Sequence, residues 1–193
     1  MSTDQRLAPT PGQTVGPFFH YALPYDGDSA LVPHGTAGAV RLHGTVLDGL
    51  GVPVPDAVVE VWQADPAGRV VQAAGSLHRD GYTFTGFGRC ATDRTGRYSF
   101  TTLTPGGVDG GLPFFALAVF ARGLLHRLTT RAYLPLPDGQ DGDALLRAAG
   151  ERRATLVAAA DPDGYRFDVH LQGPDETVFL TVPGETVPGD RAS

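Results

Sequence analysis

Several residue types are nearly missing from this chain. Among 193 residues there is one cysteine, one methionine, one tryptophan and no lysine. A lone cysteine, Cys90, cannot close a disulfide within the chain, so cross-links do not stabilise the fold. Cys90 reads as a small apolar residue buried in a strand rather than a reactive thiol. With lysine absent, arginine supplies all 15 positive charges against 21 acidic ones; the net charge is −6 and there is no basic run. That balance argues against a nucleic-acid groove, which needs clustered cations. Long apolar runs are missing too. The longest apolar-rich stretch, Leu112 to Ala121, is about half of what spans a bilayer. The opening MSTDQRLAPTPGQ lacks the charged and apolar regions of a signal peptide. The expectation is a soluble, cytoplasmic chain with neither a membrane nor a nucleic-acid partner.

Glycine (26) and proline (16) are abundant, and each interrupts helices, which argues against a bundle. Residues 1–38 combine Pro, Gly and Thr with Phe18, Phe19, Tyr21 and Tyr25. Aromatics are depleted in disordered tails, so this segment reads as an ordered arm lying on its own domain or a neighbour. From Ala39 the pattern changes to short strands between turns. Val40, Leu42, Gly44 and Val46 alternate with Arg41, His43 and Thr45, as in a half-buried strand. Ala57–Gln63 and Arg97–Thr102 are further strands, and Phe114–Ala121 suits a strand buried on both faces. His126–Leu134, Arg153–Ala159, Tyr165–Leu171 and Thr177–Val182 complete the set. One short helix is expected over Asp143–Ala149, capped by Asp141 or Asp143 and ended by Gly150. The fold class is all-β: a sandwich of about eight short strands over residues 39–183, an N-terminal arm (1–38) and a C-terminal tail (184–193).

The residues alone assemble no active site. The six histidines, His20, His34, His43, His78, His126 and His170, show neither H-x-H nor H-x-x-x-H spacing. His43 and His126 are expected to face solvent. No G-x-S-x-G elbow, phosphate-binding glycine loop or C-x-x-C is present. Trp62 reads as core. Glu60 shares its face by the strand period and is expected to pair with an arginine at the core edge. Arg122 reads as a subunit-contact residue, and Glu151-Arg152-Arg153 as a solvated or interface cluster.

T-x-G-P-F-F at Thr14–Phe19, G-V-P-V-P-D-A-V-V-E-V-W-Q-A-D at Gly51–Asp65 and F-T-G-F-G-R at Phe84–Arg89 resemble the intradiol ring-cleavage dioxygenases. So do T-D-x-x-G-R-Y-x-F at Thr92–Phe100 and T-P-G at Thr104–Gly106. The run F-A-R-G-L-L-x-R-L-x-T-R at Phe120–Arg131 is similar to the alpha subunits of the two-subunit members that cleave protocatechuate. The resemblance implies a ferric ion held in catalytic chains by two tyrosinates and two histidines, hard oxygen and imidazole donors suited to Fe(III). Aligned on it, this chain carries Val70, Val108, Phe114 and Ala116 at the four ligand positions. Hydrocarbon offers no lone pair, so no metal and no catalytic residue is expected here; Fe(III) is expected in a partner beta subunit.

The resemblance further implies alpha–beta protomers that associate into larger particles, with a small aromatic substrate at a shared pocket. There it assigns substrate contact to Thr14, Gly16, Pro17 and Phe18 of the arm and to Arg131. A guanidinium suits the substrate's carboxylate, the alternative being an ordinary salt bridge. Two other readings stay open at this stage. One is a self-sufficient dioxygenase using Tyr82, Tyr98, Tyr133, His78 or His126; the other is a metal-free aromatic- or sugar-binding sandwich.

Overall fold

The computed structural model describes residues 23–72, 80–136 and 142–181. The arm residues Thr14, Gly16, Pro17 and Phe18, together with His20 and His78, lie outside this set. The described strands are β1 (Ala39–Leu47), β2 (Val58–Trp62), β3 (Phe87–Ala91), β4 (Arg97–Leu103), β5 (Phe114–Phe120), β6 (Leu128–Tyr133), β7 (Ala159–Asp161), β8 (Gly164–Arg166) and β9 (Val169–His170). They form two sheets, one ordered β3-β2-β5-β6 and the other β4-β1-β8-β7. β8 and β9 run in succession along β1, both parallel to it, and are separated by Phe167 and Asp168. The expected all-β sandwich is what the chain forms.

Strand parity sets the core. Leu42 and Val46 of β1, Tyr98 and Phe100 of β4, Val59 and Val61 of β2, and Phe115, Leu117 and Val119 of β5 meet between the sheets, all nearly or fully buried. Fully burying one such side chain contributes about 1.5–3 kcal/mol. The W-Q-A-D block ties the sheets together. The Gln63 amide donates to the Leu103 carbonyl at 2.8 Å and accepts from the Thr102 hydroxyl. Gly44 is dictated by a close approach, since a Cβ there would lie 1.8 Å from the Phe167 carbonyl oxygen. That carbonyl accepts the Tyr98 hydroxyl at 2.5 Å.

A second, smaller core sits at one corner. The single described α-helix, α1 (Ala144–Ala148), and a 3-10 turn at Gly150–Leu156 bring Leu146 and Leu156 against Tyr133, all fully buried. Asp143 is the α1 N-cap, its Oδ1 accepting the Leu145 and Leu146 N–H groups at 3.0 Å.

Five expectations need correction. Of the strand expected over Arg153–Ala159, residues 153–156 are instead the end of a 3-10 helix that begins at Gly150, with φ +56°, and β7 starts only at Ala159. The described part of Thr177–Val182 makes only an isolated bridge, Thr129 to Leu180. β5 alternates buried with half-buried residues instead of being buried on both faces. Trp62 is 47% exposed, because Val59 and Val61 take the inner face and parity turns Trp62 outward onto Phe87. His43 is half-buried rather than solvent-facing, with Nε2 3.3 Å from the Asp161 carboxylate. His126 is exposed as expected, in the bend before β6. Among the described residues no helix is long and apolar enough to cross a membrane.

Candidate functional site

The four positions aligned with metal ligands gather at one end of the β3-β2-β5-β6 sheet, where β2 ends, β5 begins and β6 ends. Asp65 shapes the loop leaving β2. Its carboxylate accepts the Ala67 and Arg69 backbone N–H groups at 2.9 Å and the Arg69 Nε at 2.7 Å. The hydrogen bond from the Arg69 backbone, foremost among these contacts, holds the Asp65 carboxyl below the ordinary range. Gly106 N–H donates to the Asp65 carbonyl at 2.9 Å, so the loop carrying Val70 lies on the loop leading to Val108. Gly68 has no room for a Cβ, which would sit 2.2 Å from the Gly107 carbonyl oxygen. On β5, Phe114 pairs with Tyr133 and Ala116 lies between Trp62 and Arg131. Phe114 and Ala116 share the face of β5 opposite Phe115, Leu117 and Val119, turned away from the main core.

The chemistry at this end belongs to Arg131. Its guanidinium lies 4.2 Å over the Phe114 ring, a cation–π contact. Arg131 Nη1 donates to the Tyr133 hydroxyl at 3.2 Å, and that hydroxyl donates to Asp143 Oδ2 at 2.7 Å. The direct Arg131–Asp143 separation is 4.0 Å, so the carboxylate acts on the guanidinium mainly through the tyrosine. Burial first, then the Asp143 hydrogen bond, pushes the Tyr133 hydroxyl up to about 12. Burial would also raise Asp143, but hydrogen bonds from Leu146, Tyr133 and Leu145 outweigh it and hold its carboxyl below the ordinary range. Near neutral pH the chain is therefore guanidinium, neutral phenol, carboxylate. Among the described residues, Arg131 Nε and Nη2 have no hydrogen-bond partner, and the side chain is about one-third exposed. A fixed guanidinium with a free edge can take a carboxylate in two parallel hydrogen bonds.

This donor set does not fit a ferric ion. Val70, Val108, Phe114 and Ala116 carry no lone pair, the Tyr133 phenol is spent as a neutral donor, and the Arg131 charge over Phe114 repels a second cation. Among the described residues no three His, Cys, Asp or Glu side chains gather where they could hold a metal. Nor do the alternative ligands that are described come together. Tyr98 is buried in the other sheet, where burial pushes its hydroxyl up; Tyr82 is 96% exposed, and His78 is not described.

The remaining candidates make these contacts within the chain. Glu60 meets Arg89 across β2 and β3, with Oε1 2.9 Å from Nε, the core-edge pair expected from parity. Cys90 is half-buried on β3, and burial pushes its thiol up, which keeps it protonated. Arg122 pairs within the chain, its Nε 2.9 Å from Asp56. Arg152 contacts Glu176, and Glu151 and Arg153 are exposed. Sequence reasoning placed Tyr133 only as a spare metal ligand and Asp143 only as a helix cap. The available signal was the strand period, which puts Arg131 and Tyr133 on one face.

A family model described as "Dioxygenase" matches residues 14–111. The protocatechuate 3,4-dioxygenase alpha chain of Burkholderia cepacia is 40% identical over 91% of this chain and 98% of its own length. That of Pseudomonas putida is 34% identical over 90% and 96%. The Burkholderia cepacia beta chain is 34% identical over 69% of this chain and 64% of its own. Among solved structures, a dioxygenase domain from Streptomyces sp. SirexAA-E aligns at a TM-score of 0.54 with 24% identity, covering 86% of this chain and 99% of that one. Catechol 1,2-dioxygenase from Acinetobacter sp. ADP1 aligns at 0.50 with 22% identity, over 73% and 55%. The structural likenesses establish the shared fold. Sequence identity over nearly the whole length does more: the chain belongs to the intradiol ring-cleavage dioxygenase family, beside the alpha chains of protocatechuate 3,4-dioxygenase.

Proposed function

We propose that this chain is the non-iron alpha subunit of a protocatechuate 3,4-dioxygenase. It docks on an iron-bearing beta subunit, and alpha–beta protomers assemble further. The complex cleaves protocatechuate with O2 between its two hydroxyl-bearing carbons, giving 3-carboxy-cis,cis-muconate. Ring opening belongs to the partner. This chain contributes a wall of the shared pocket, where the free edge of Arg131 holds the substrate carboxylate or raises the local positive potential. In this reading residues 1–38 are an arm whose Thr14, Gly16, Pro17 and Phe18 approach the substrate ring, and residues 184–193 are a tail. Gly16-Pro17 lets the backbone pass close to a planar ring at a fixed φ.

The observation that carries the reading is the exchange at the sheet end. Hydrocarbon fills the four ligand positions, and a guanidinium lies over one of them, Phe114. The 40% identity to an alpha chain over nearly its whole length supports the same assignment. The test is to prepare the chain alone and with a beta partner, then measure iron, the visible tyrosinate-to-iron absorption and ring cleavage. Colour and cleavage are expected only with the partner. Stoichiometric iron in the lone chain would overturn the proposal.

A further inference from the structure

We infer that Tyr133 and Asp143 are positioning residues that hold Arg131 in its substrate-facing orientation; this rests on the Arg131 reading above. An arginine side chain has several rotatable bonds, and a surface guanidinium samples many orientations at a considerable entropy cost when fixed. Here two contacts restrict it. The Phe114 ring supports its face at 4.2 Å, and Tyr133 accepts Nη1 at 3.2 Å. Tyr133 cannot drift, since its ring is fully buried against Leu146 and Leu156 and its hydroxyl is committed to Asp143 Oδ2. Asp143 is fixed in turn by its second oxygen, which caps α1. One carboxylate thus works with both oxygens, Oδ1 on the helix and Oδ2 on the tyrosine. The edge left free on Arg131, Nε and Nη2, is the one able to receive a carboxylate.

The test uses the full alpha–beta complex with Arg131→Ala, Tyr133→Phe, Asp143→Asn and the double variant Arg131→Ala/Tyr133→Phe. Tyr133→Phe keeps the buried ring, and Asp143→Asn keeps an oxygen for the cap; Asp143→Ser is a second capping variant should Asn misfold. Each is assayed with protocatechuate and with catechol, which lacks the carboxylate. Equilibrium binding of 4-hydroxybenzoate against phenol adds a readout without turnover. Tyr133→Phe and Asp143→Asn are expected to lower the kcat/KM preference for protocatechuate about ten-fold, mainly through KM, the factor set by one lost hydrogen bond to a charged group. The double variant should be no worse than Arg131→Ala alone. A purely structural role would lower both substrates together and leave the preference intact. If Arg131→Ala shifts the preference while Tyr133→Phe and Asp143→Asn leave it unchanged, the inference is wrong and the reading of Arg131 survives. If Arg131→Ala itself leaves the preference unchanged, that reading fails and this inference falls with it.

Discussion

Two buried tyrosines, one on each sheet, show how the same side chain takes different work from its partners. Tyr98 of β4 sits in the main core and donates to a backbone carbonyl, that of Phe167, at 2.5 Å. Tyr133 of β6 sits in the small corner core and stands between two charged side chains, Arg131 and Asp143. In both places burial raises the phenol, so both remain neutral donors in the physiological range. Tyr98 closes the gap where β8 gives way to β9 along β1, and its contact ends there. Tyr133 passes the order of a helix cap on to a guanidinium with a free edge. A hydroxyl bonded to main chain fixes the fold, whereas one bonded between two charged side chains can fix a site.

The comparison can be broken most severely at Gly44. Gly44→Ala would place a methyl 1.8 Å from the Phe167 carbonyl oxygen and 3.0 Å from the Tyr98 hydroxyl. Backbone must move, so a loss of more than about 3 kcal/mol in denaturant unfolding, or no folded protein, is expected. A wild-type midpoint would show that the β1–Phe167 approach is loose enough to admit a methyl group. Tyr98→Phe comes next. It leaves the Phe167 carbonyl without its donor at a cost of about 1–3 kcal/mol. The kinetics of the assembled enzyme should stay unchanged, and an altered preference between protocatechuate and catechol would erase the contrast with Tyr133.

Asp143→Ala removes the α1 cap and should cost about 1 kcal/mol in thermal unfolding while also weakening the hold on Arg131. A stability loss without the kinetic one would reduce Asp143 to a cap. The smallest effect is in acid. The folded Asp143 carboxyl is held below its ordinary value, so its stabilisation is present above the unfolded pKa of about 3.9 and is lost as pH falls through the lower folded value. Asp143→Asn should therefore flatten part of the stability decline below about pH 4. An unaltered acid limb would mean that the Tyr133 and helix contacts do not favour the ionised form.

The sequence made the sandwich legible where alternation or β-branching was strong, as in Val40–Val46, Ala57–Gln63 and Arg97–Thr102. It was less legible where tertiary packing decides. Arg153–Ala159 reads as a strand, yet Leu156 is drawn into the corner core with Tyr133 and Leu146, and residues 153–156 tighten into 3-10 geometry. By residue type Trp62 reads as core, whereas parity with Val59 and Val61 turns it outward. The emptied ligand positions and Arg131 were legible only through resemblance to a family. The Tyr133–Asp143 link was not, because ten residues separate them in sequence and the second carboxylate oxygen has no local pattern to announce it.

The corner core has a consequence for heat tolerance. α1 spans five residues, far too few to persist as a helix without its packing, and its buried apolar anchor is Leu146, with Leu156 of the following 3-10 turn beside it. The sandwich has many more such anchors, so the corner is expected to be the first unit to melt on warming. If Arg131 sets the preference for a carboxylated catechol as proposed, a warmed enzyme should lose that preference some degrees before the sheets come apart, and regain it on cooling.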